Sequence, residues 1–217
     1  MSAPILVINP NSNPEVTAGL DEALAPFRLV GGPPIECLTL AEGPFGIESQ
    51  AQSDLVVAPL LAFAETRADA AAVVVACYSD PGLETLRERL PIPVFGMQEA
   101  GVLAALGRGD LIGVIAAATP SIRRHRRYLR RMGALDRLAG EAPLDLTVAE
   151  TGGAAAWPGL LAAGETLQAQ GAEALVLGCA GMARHRARLE TALDLPVIEP
   201  VQAAVAAALG ALLPTEA

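Results

Sequence analysis

Val73-Val74-Val75-Ala76-Cys77-Tyr78-Ser79-Asp80-Pro81-Gly82 is the stretch whose reading decides the fold. An aliphatic run stops at a cysteine, and small, polar and turn-forming residues follow. Such a run reads as a buried strand ending in a loop, with a helix to follow. Ala174-Leu175-Val176-Leu177-Gly178-Cys179-Ala180-Gly181-Met182 reads the same way, so both cysteines are expected at strand C-terminal ends. The likeness continues beyond them. Pro93-Val94-Phe95 begins 16 residues after Cys77, and Pro196-Val197-Ile198 begins 17 after Cys179. Each Pro-Val run leads into a helix-like stretch, Gln98 to Leu106 and Val201 to Leu213. The chain is a two-fold internal repeat.

A duplicated α/β unit with equivalent residues on its strand ends suggests two lobes facing one another across a cleft, each supplying a thiol. Two thiols on opposite faces of a carbon are what a cofactor-free racemase needs. One thiolate removes the proton, and the other thiol returns one from the far side. A single free cysteine is often just a small buried hydrophobe. Cys37, inside the apolar alternation Ile35 to Leu40, reads that way. The matched contexts of Cys77 and Cys179 favour chemistry instead.

The chain also resembles a known family, the hydantoin and allantoin racemase branch of the aspartate/glutamate racemase superfamily. The resemblance is carried by Ile8-Asn9-Pro10-Asn11-Ser12, Glu42-Gly43-Pro44 with Ile47-Glu48-Ser49, Ala76 to Leu83, and Gly178 to Ala183. It implies two similar lobes, each a mainly parallel sheet flanked by helices, related by pseudo-two-fold symmetry around the active site. It implies Cys77 and Cys179 as the catalytic pair and no cofactor. Aspartate and glutamate racemases typically show C-N-T and G-C-T at these places. Here stand Cys77-Tyr78-Ser79 and Gly178-Cys179-Ala180, which points to a cyclic ureide, hydantoin or allantoin. Arylmalonate decarboxylases keep only the later cysteine, and maleate isomerases use one of two as a nucleophile. Tyr78 and Glu199 depart from the residues usual at their places.

Composition bounds the alternatives. With 217 residues, two lobes of about 100 each are expected. The first would take residues 1–96 and 200–217, with the last helix crossing back, and the second 97–199. A net charge of −9 argues against nucleic acid or an anionic membrane as partner. No lysine occurs, so a Schiff-base mechanism is excluded. No G-x-G-x-x-G or P-loop motif occurs, and no His or carboxylate pair has metal-ligand spacing. Met1 to Pro10 lacks the pattern of a secretory signal, and three cysteines without one read as free thiols. We expect a cytoplasmic enzyme acting on a small molecule, assembled as a homo-oligomer. A non-catalytic small-molecule-binding protein is the rival from another class.

Along the chain, Pro4 to Ile8 reads as the first strand and Asn9 to Pro14 as a turn cluster before a helix from Glu15 to Ala25. Asn11 and Ser12 are candidate substrate contacts there, while Asn9 and Asn13 read as turn and cap. Ile47 and Tyr78 are further candidates. A helix is expected over Gln50 to Thr66. Ser79-Asp80-Pro81 resembles a helix start whose N–H groups would lower the pKa of Cys77. In the second half, Leu111 to Ala116 and Leu144 to Ala149 read as strands and Leu160 to Gln170 as a helix. Arg123 to Arg131, with six arginines, reads as a solvated helix face or subunit contact. Thr119, Ser79, Ala180 and Gly181 are candidates to meet the substrate, and N–H or hydroxyl groups at Ser79, Gly181 and Thr119 could stabilise an enolate oxygen.

Overall fold

Strands covered by helices on both faces have no polar side to show, so they read as unbroken aliphatic runs. The computed structural model, which describes residues 2–213, bears this out at its central strands. The first half runs β1 (Ile5–Asn9), α1 (Pro14–Ala23), β2 (Ile35–Thr39), α2 (Gln50–Leu55), α3 (Val57–Glu65), β3 (Ala72–Val75), α4 (Leu83–Arg89), β4 (Val94–Gly96) and α5 (Met97–Leu106). The second runs β5 (Ile112–Ala116), α6 (Thr119–Arg131), β6 (Leu138–Pro143), α7 (Trp157–Ala169), β7 (Ala174–Gly178), α8 (Arg186–Leu193), β8 (Val197–Ile198) and α9 (Pro200–Ala211). Every residue of β1, β3, β5 and β7 is buried.

The strands form two four-stranded parallel sheets, ordered β2-β1-β3-β4 and β6-β5-β7-β8. Those are the same order twice, which is the internal repeat made structural. Successive side chains of a strand point to opposite faces. Thus Ile5, Val7 and Val74 join the large core shared with the second half, while Leu6, Ile8, Val73 and Val75 pack beneath α3 and α4.

Each half hands its last helix to the other. α5 leaves β4 and packs on β5, β7 and β8, whereas α9 leaves β8 and packs on β1, β3 and β4. The two helices also pack on each other, and at Gly101 they come so close that a Cβ would run into Pro200.

Two expectations need correction. The strand placed at Leu144 to Ala149 is β6, at Leu138–Pro143. It pairs with β5 from Leu138 to Pro143, with an irregularity at Ala139, and Pro143, which has no N–H to donate, is the last residue of this edge strand. Asp145 then turns the chain at φ 52°. The helix expected over Gln50 to Thr66 is two helices, α2 and α3. Pro59 cannot bond to the carbonyl of Leu55, four residues back, and the first helix ends there.

Candidate active site

In a parallel sheet, ligands bind beyond the strand C-termini where the strand order reverses. In the first sheet that point lies between β1 and β3, and in the second between β5 and β7. The loops leaving these four strands carry Asn11, Cys77, Ala117 and Cys179. All four line one cleft, which encloses about 520 Å³ of empty space including its mouth. The rest of its wall is largely apolar, with Ile47, Tyr78, Leu146, Val148 and Ala180.

Each thiol has a hydroxyl beside it. Cys77 Sγ lies 3.7 Å from Ser79 Oγ, and Cys179 Sγ lies 3.6 Å from Thr151 Oγ1. Thr151 gives its own proton to the Val148 carbonyl at 2.8 Å, so towards Cys179 it can only accept. The Gly181 N–H also points at the Cys179 sulfur. Gly181 must be glycine here, since a Cβ would collide with Thr151 Oγ1.

The expectation of a lowered Cys77 pKa is overturned. Burial pushes the thiol up to about 12, and the Ser79 bonds and N–H offset only part of this. Cys179 is likewise raised by burial, against the Gly181 N–H. The negative charge of Cys179 further raises Cys77, so the two sulfurs feel each other across the cleft. A charged sulfur in a largely apolar chamber loses more hydration than two local donors restore.

Asn11 is held by its neighbours. Its Oδ1 accepts from Asn9 Nδ2 and from the Asn13 backbone, both at 3.0 Å, which leaves its Nδ2 as the free end at the cleft. Asn9 ties the turn and Asn13 caps α1, as expected. Glu48 joins the halves, its Oε1 accepting from the Val148 N–H at 3.1 Å.

Of the candidates read from the sequence, the cleft brings together Cys77, Cys179, Asn11, Ile47, Tyr78, Ser79 and Ala180. Ser12, Thr119 and Gly181 do not line it. The Ser12 N–H is taken by the Pro44 carbonyl. Thr119 is exposed and donates its N–H to Asp145 Oδ1. Gly181 acts from behind, through Cys179.

Helix α6 also differs from its reading as a solvated face. Ser121, Arg124 and His125 turn into the cleft. His125 is buried, its Nδ1 2.8 Å from the buried Glu141 Oε2, and its ring meets Tyr78 edge-on at 5.0 Å. Arg124 reaches Cys77 closely enough for their charges to interact and donates to the Glu48 carbonyl at 3.2 Å. The helical period held the signal: Ser121, Arg124 and His125 share one face, i, i+3, i+4. Six arginines among nine residues masked it. Thr151 had no comparable cue.

The chain matches the family model described as Asp/Glu/Hydantoin racemase over residues 5–208. It is 36% identical over 207 residues to a hydantoin racemase of Paenarthrobacter aurescens, covering 92% of this chain and 87% of that one. A hydantoin racemase of Rhizobium meliloti is 35% identical, with 93% and 85% covered. Among solved structures, an allantoin racemase from Klebsiella pneumoniae superposes with a TM-score of 0.89 at 26% identity, covering 96% of this chain and 87% of its own. Shared sequence along nearly the whole length, on the same two-lobed fold, places this chain in the Asp/Glu/hydantoin racemase family, on its hydantoin and allantoin racemase branch.

Proposed function

We propose that the protein is a cofactor-independent racemase of hydantoins substituted at the stereocentre, or of allantoin, working through Cys77 and Cys179. The observation that carries the proposal is the placement of two thiols from equivalent strand ends, β3 and β7, Cys77 half-buried and Cys179 buried, in one cleft. The substrate stereocentre lies between the sulfurs, next to a ring carbonyl. One thiolate takes the proton, the charge moves onto the carbonyl oxygen as an enolate, and the opposite thiol delivers a proton to the other face. The roles exchange for the other enantiomer.

Burial suits this chemistry. It makes a thiolate scarce but a stronger base, which a weak carbon acid requires. The same apolar wall strengthens every donor aimed at the enolate. The Ser79 hydroxyl, Asn11 Nδ2 and the Arg124 guanidinium are the donors at hand. Arg124 also stands beside Cys77 to balance its charge.

The same proposal takes residues 1–96 with 200–217 as one lobe and 97–199 as the other, following the exchange of α5 and α9; residues 1 and 214–217 lie outside the described residues. It extends to a cytoplasmic homo-oligomer. All three cysteines are free, which supports a reducing compartment. Among the described residues no helix is long and apolar enough to cross a membrane.

Polarimetry on single enantiomers of alkyl hydantoins and of allantoin tests the assignment. Rotation should decay to zero with wild type, and Cys77→Ala and Cys179→Ala should each lower the rate about 10²–10⁴-fold, the usual worth of a positioned acid or base. Unchanged rates in either folded variant would refute the thiol mechanism. Binding without any change in rotation would favour the sensing reading instead.

A further inference from the structure

Beside the reaction cleft, between α2 and α6, lies a second cavity, about 780 Å³ including its open side. Its wall is of a different kind. Gln98, Arg124, Arg127, Tyr128 and Arg131 line it, together with Ser79. Ser79 and Arg124 line both cavities, so the two adjoin beside Cys77.

Donors here outnumber the groups that could satisfy them. Gln98 is 1% exposed, and its carboxamide Nε2 is buried with no hydrogen-bond partner. Arg124 Nε is also buried without one. A buried donor left without a partner costs about 1–3 kcal/mol, so two on the wall of one cavity mark a place where an acceptor is missing. The charges agree. Arg124 and Arg127 enter no ion pair among the described residues; Arg127 spends one nitrogen on the neutral Gln50 Oε1 at 2.6 Å. Arg131 faces Glu84 at 3.5 Å. Of the carboxylates, Asp54 also lines the cavity, with Oδ1 accepting from Gln50 Nε2 at 2.6 Å, and Asp80 behind it accepts from the N–H groups of Gln98 and Glu99 and from Tyr128.

We infer that this second cavity binds the far end of the substrate's side chain, and that this end is a carboxylate. The inference rests on the racemase reading and narrows it. A hydantoin ring held between Cys77 and Cys179 would direct the substituent of its stereocentre past Ser79 and Arg124. A short chain then brings an anionic end to Gln98 and Arg127. The guanidinium fork suits a carboxylate, whose two oxygens accept two N–H bonds at once. An alkyl substituent would leave the donors unpaired.

The test is a comparison of initial racemisation rates for hydantoins carrying a carboxyethyl, a carbamoylethyl or an isobutyl group. With wild type, the carboxyethyl compound should have the highest kcat/KM, by about tenfold over carbamoylethyl, the worth of a charge-assisted hydrogen bond. The gain should lie in KM and shrink with added salt. Arg127→Gln, at an exposed position, and Gln98→Leu should each narrow the ratio of carboxyethyl to isobutyl towards unity. Racemisation of the isobutyl compound equal to or faster than the carboxyethyl one would overturn the inference and leave the racemase reading standing. A carboxyethyl advantage unaltered in both variants would also overturn it. If no hydantoin loses rotation, both readings fall.

Discussion

At Cys77 two forces oppose one another, and their sizes decide the behaviour of the free enzyme. Burial pushes the thiol up to about 12, whereas the Ser79 hydroxyl and N–H pull the other way. An acid whose pKa is raised holds its proton to higher pH, so Cys77 stays protonated through the range where an ordinary thiol, near about 8.5, has ionised. Its alkylation by iodoacetamide, followed by mass spectrometry, should therefore keep accelerating about tenfold per pH unit through pH 10. A plateau near pH 8.5 would contradict this account. The two thiols, and the residues flanking them, were legible because the strand-ending pattern occurs twice. The burial term was not legible, because it depends on the opposite lobe closing over the sulfur. Ser79-Asp80-Pro81 suggested a helix start, yet α4 begins only at Leu83, and Gly82 precedes it in the left-handed region at φ 70°.

At the scale of elements, the repeat extends to a feature that no residue pattern announced. Glu199 caps α9 with its own side chain, Oε1 and Oε2 accepting from the N–H groups of Val201 and Gln202. The equivalent residue before α5 is Gly96, which has no side chain. Asp80 fills the role from the Cys77 loop, its two oxygens accepting from Gln98 and Glu99 at 2.9 Å each. A Cβ at Gly96 would run into that carboxylate. Thus one half caps its exchanged helix from within, and the other uses the cap to tie down the loop that carries Cys77. Both carboxyls are raised to about 7, because burial outweighs the two N–H bonds each accepts.

That shift has a sign. Unfolded, Glu199 ionises near its ordinary value of 4.5, while folded it keeps its proton to about 7. The raised folded pKa favours the folded state below the unfolded value, and the advantage is lost as pH rises through about 7. Urea unfolding of wild type and Glu199→Gln should therefore diverge between pH 4 and pH 8. Wild type should lose stability relative to the variant, by at most about 3 kcal/mol. An equal pH dependence of the two proteins would contradict the assignment. The departure at Glu199 was visible in the sequence; its use as a cap was not, since the residue sits at a strand end where a substrate contact is equally plausible by pattern.

For the whole molecule, the exchange of α5 and α9 determines how the halves depend on each other. The larger core takes residues from both sheets and both exchanged helices, from Val7 and Val74 to Val176 and Val205. Each sheet would lose the exchanged helix on one of its faces if the other half unfolded. Unfolding in urea should accordingly be a single transition. Fluorescence of Trp157, the only tryptophan and a residue of the second half, should coincide with far-ultraviolet circular dichroism. Two separated transitions would show that the lobes are independent. The pair of similar lobes was legible at this scale from the repeat alone, whereas the strand order was not, and the lining from α6 was hidden because a helix rich in arginine reads as surface until its neighbours are in place.

The central claim is that one thiol removes the proton and the other returns a different one to the opposite face. Its most direct test is the early distribution of deuterium when each pure enantiomer of a racemised hydantoin is turned over in D2O. The account predicts that deuterium enters the newly formed enantiomer from the first turnovers while the remaining starting enantiomer stays unlabelled, and that this holds in both directions. Early label in the unconverted starting enantiomer, or product that keeps the original proton, would mean that a single base works on both faces, and the paired roles of Cys77 and Cys179 would have to be abandoned.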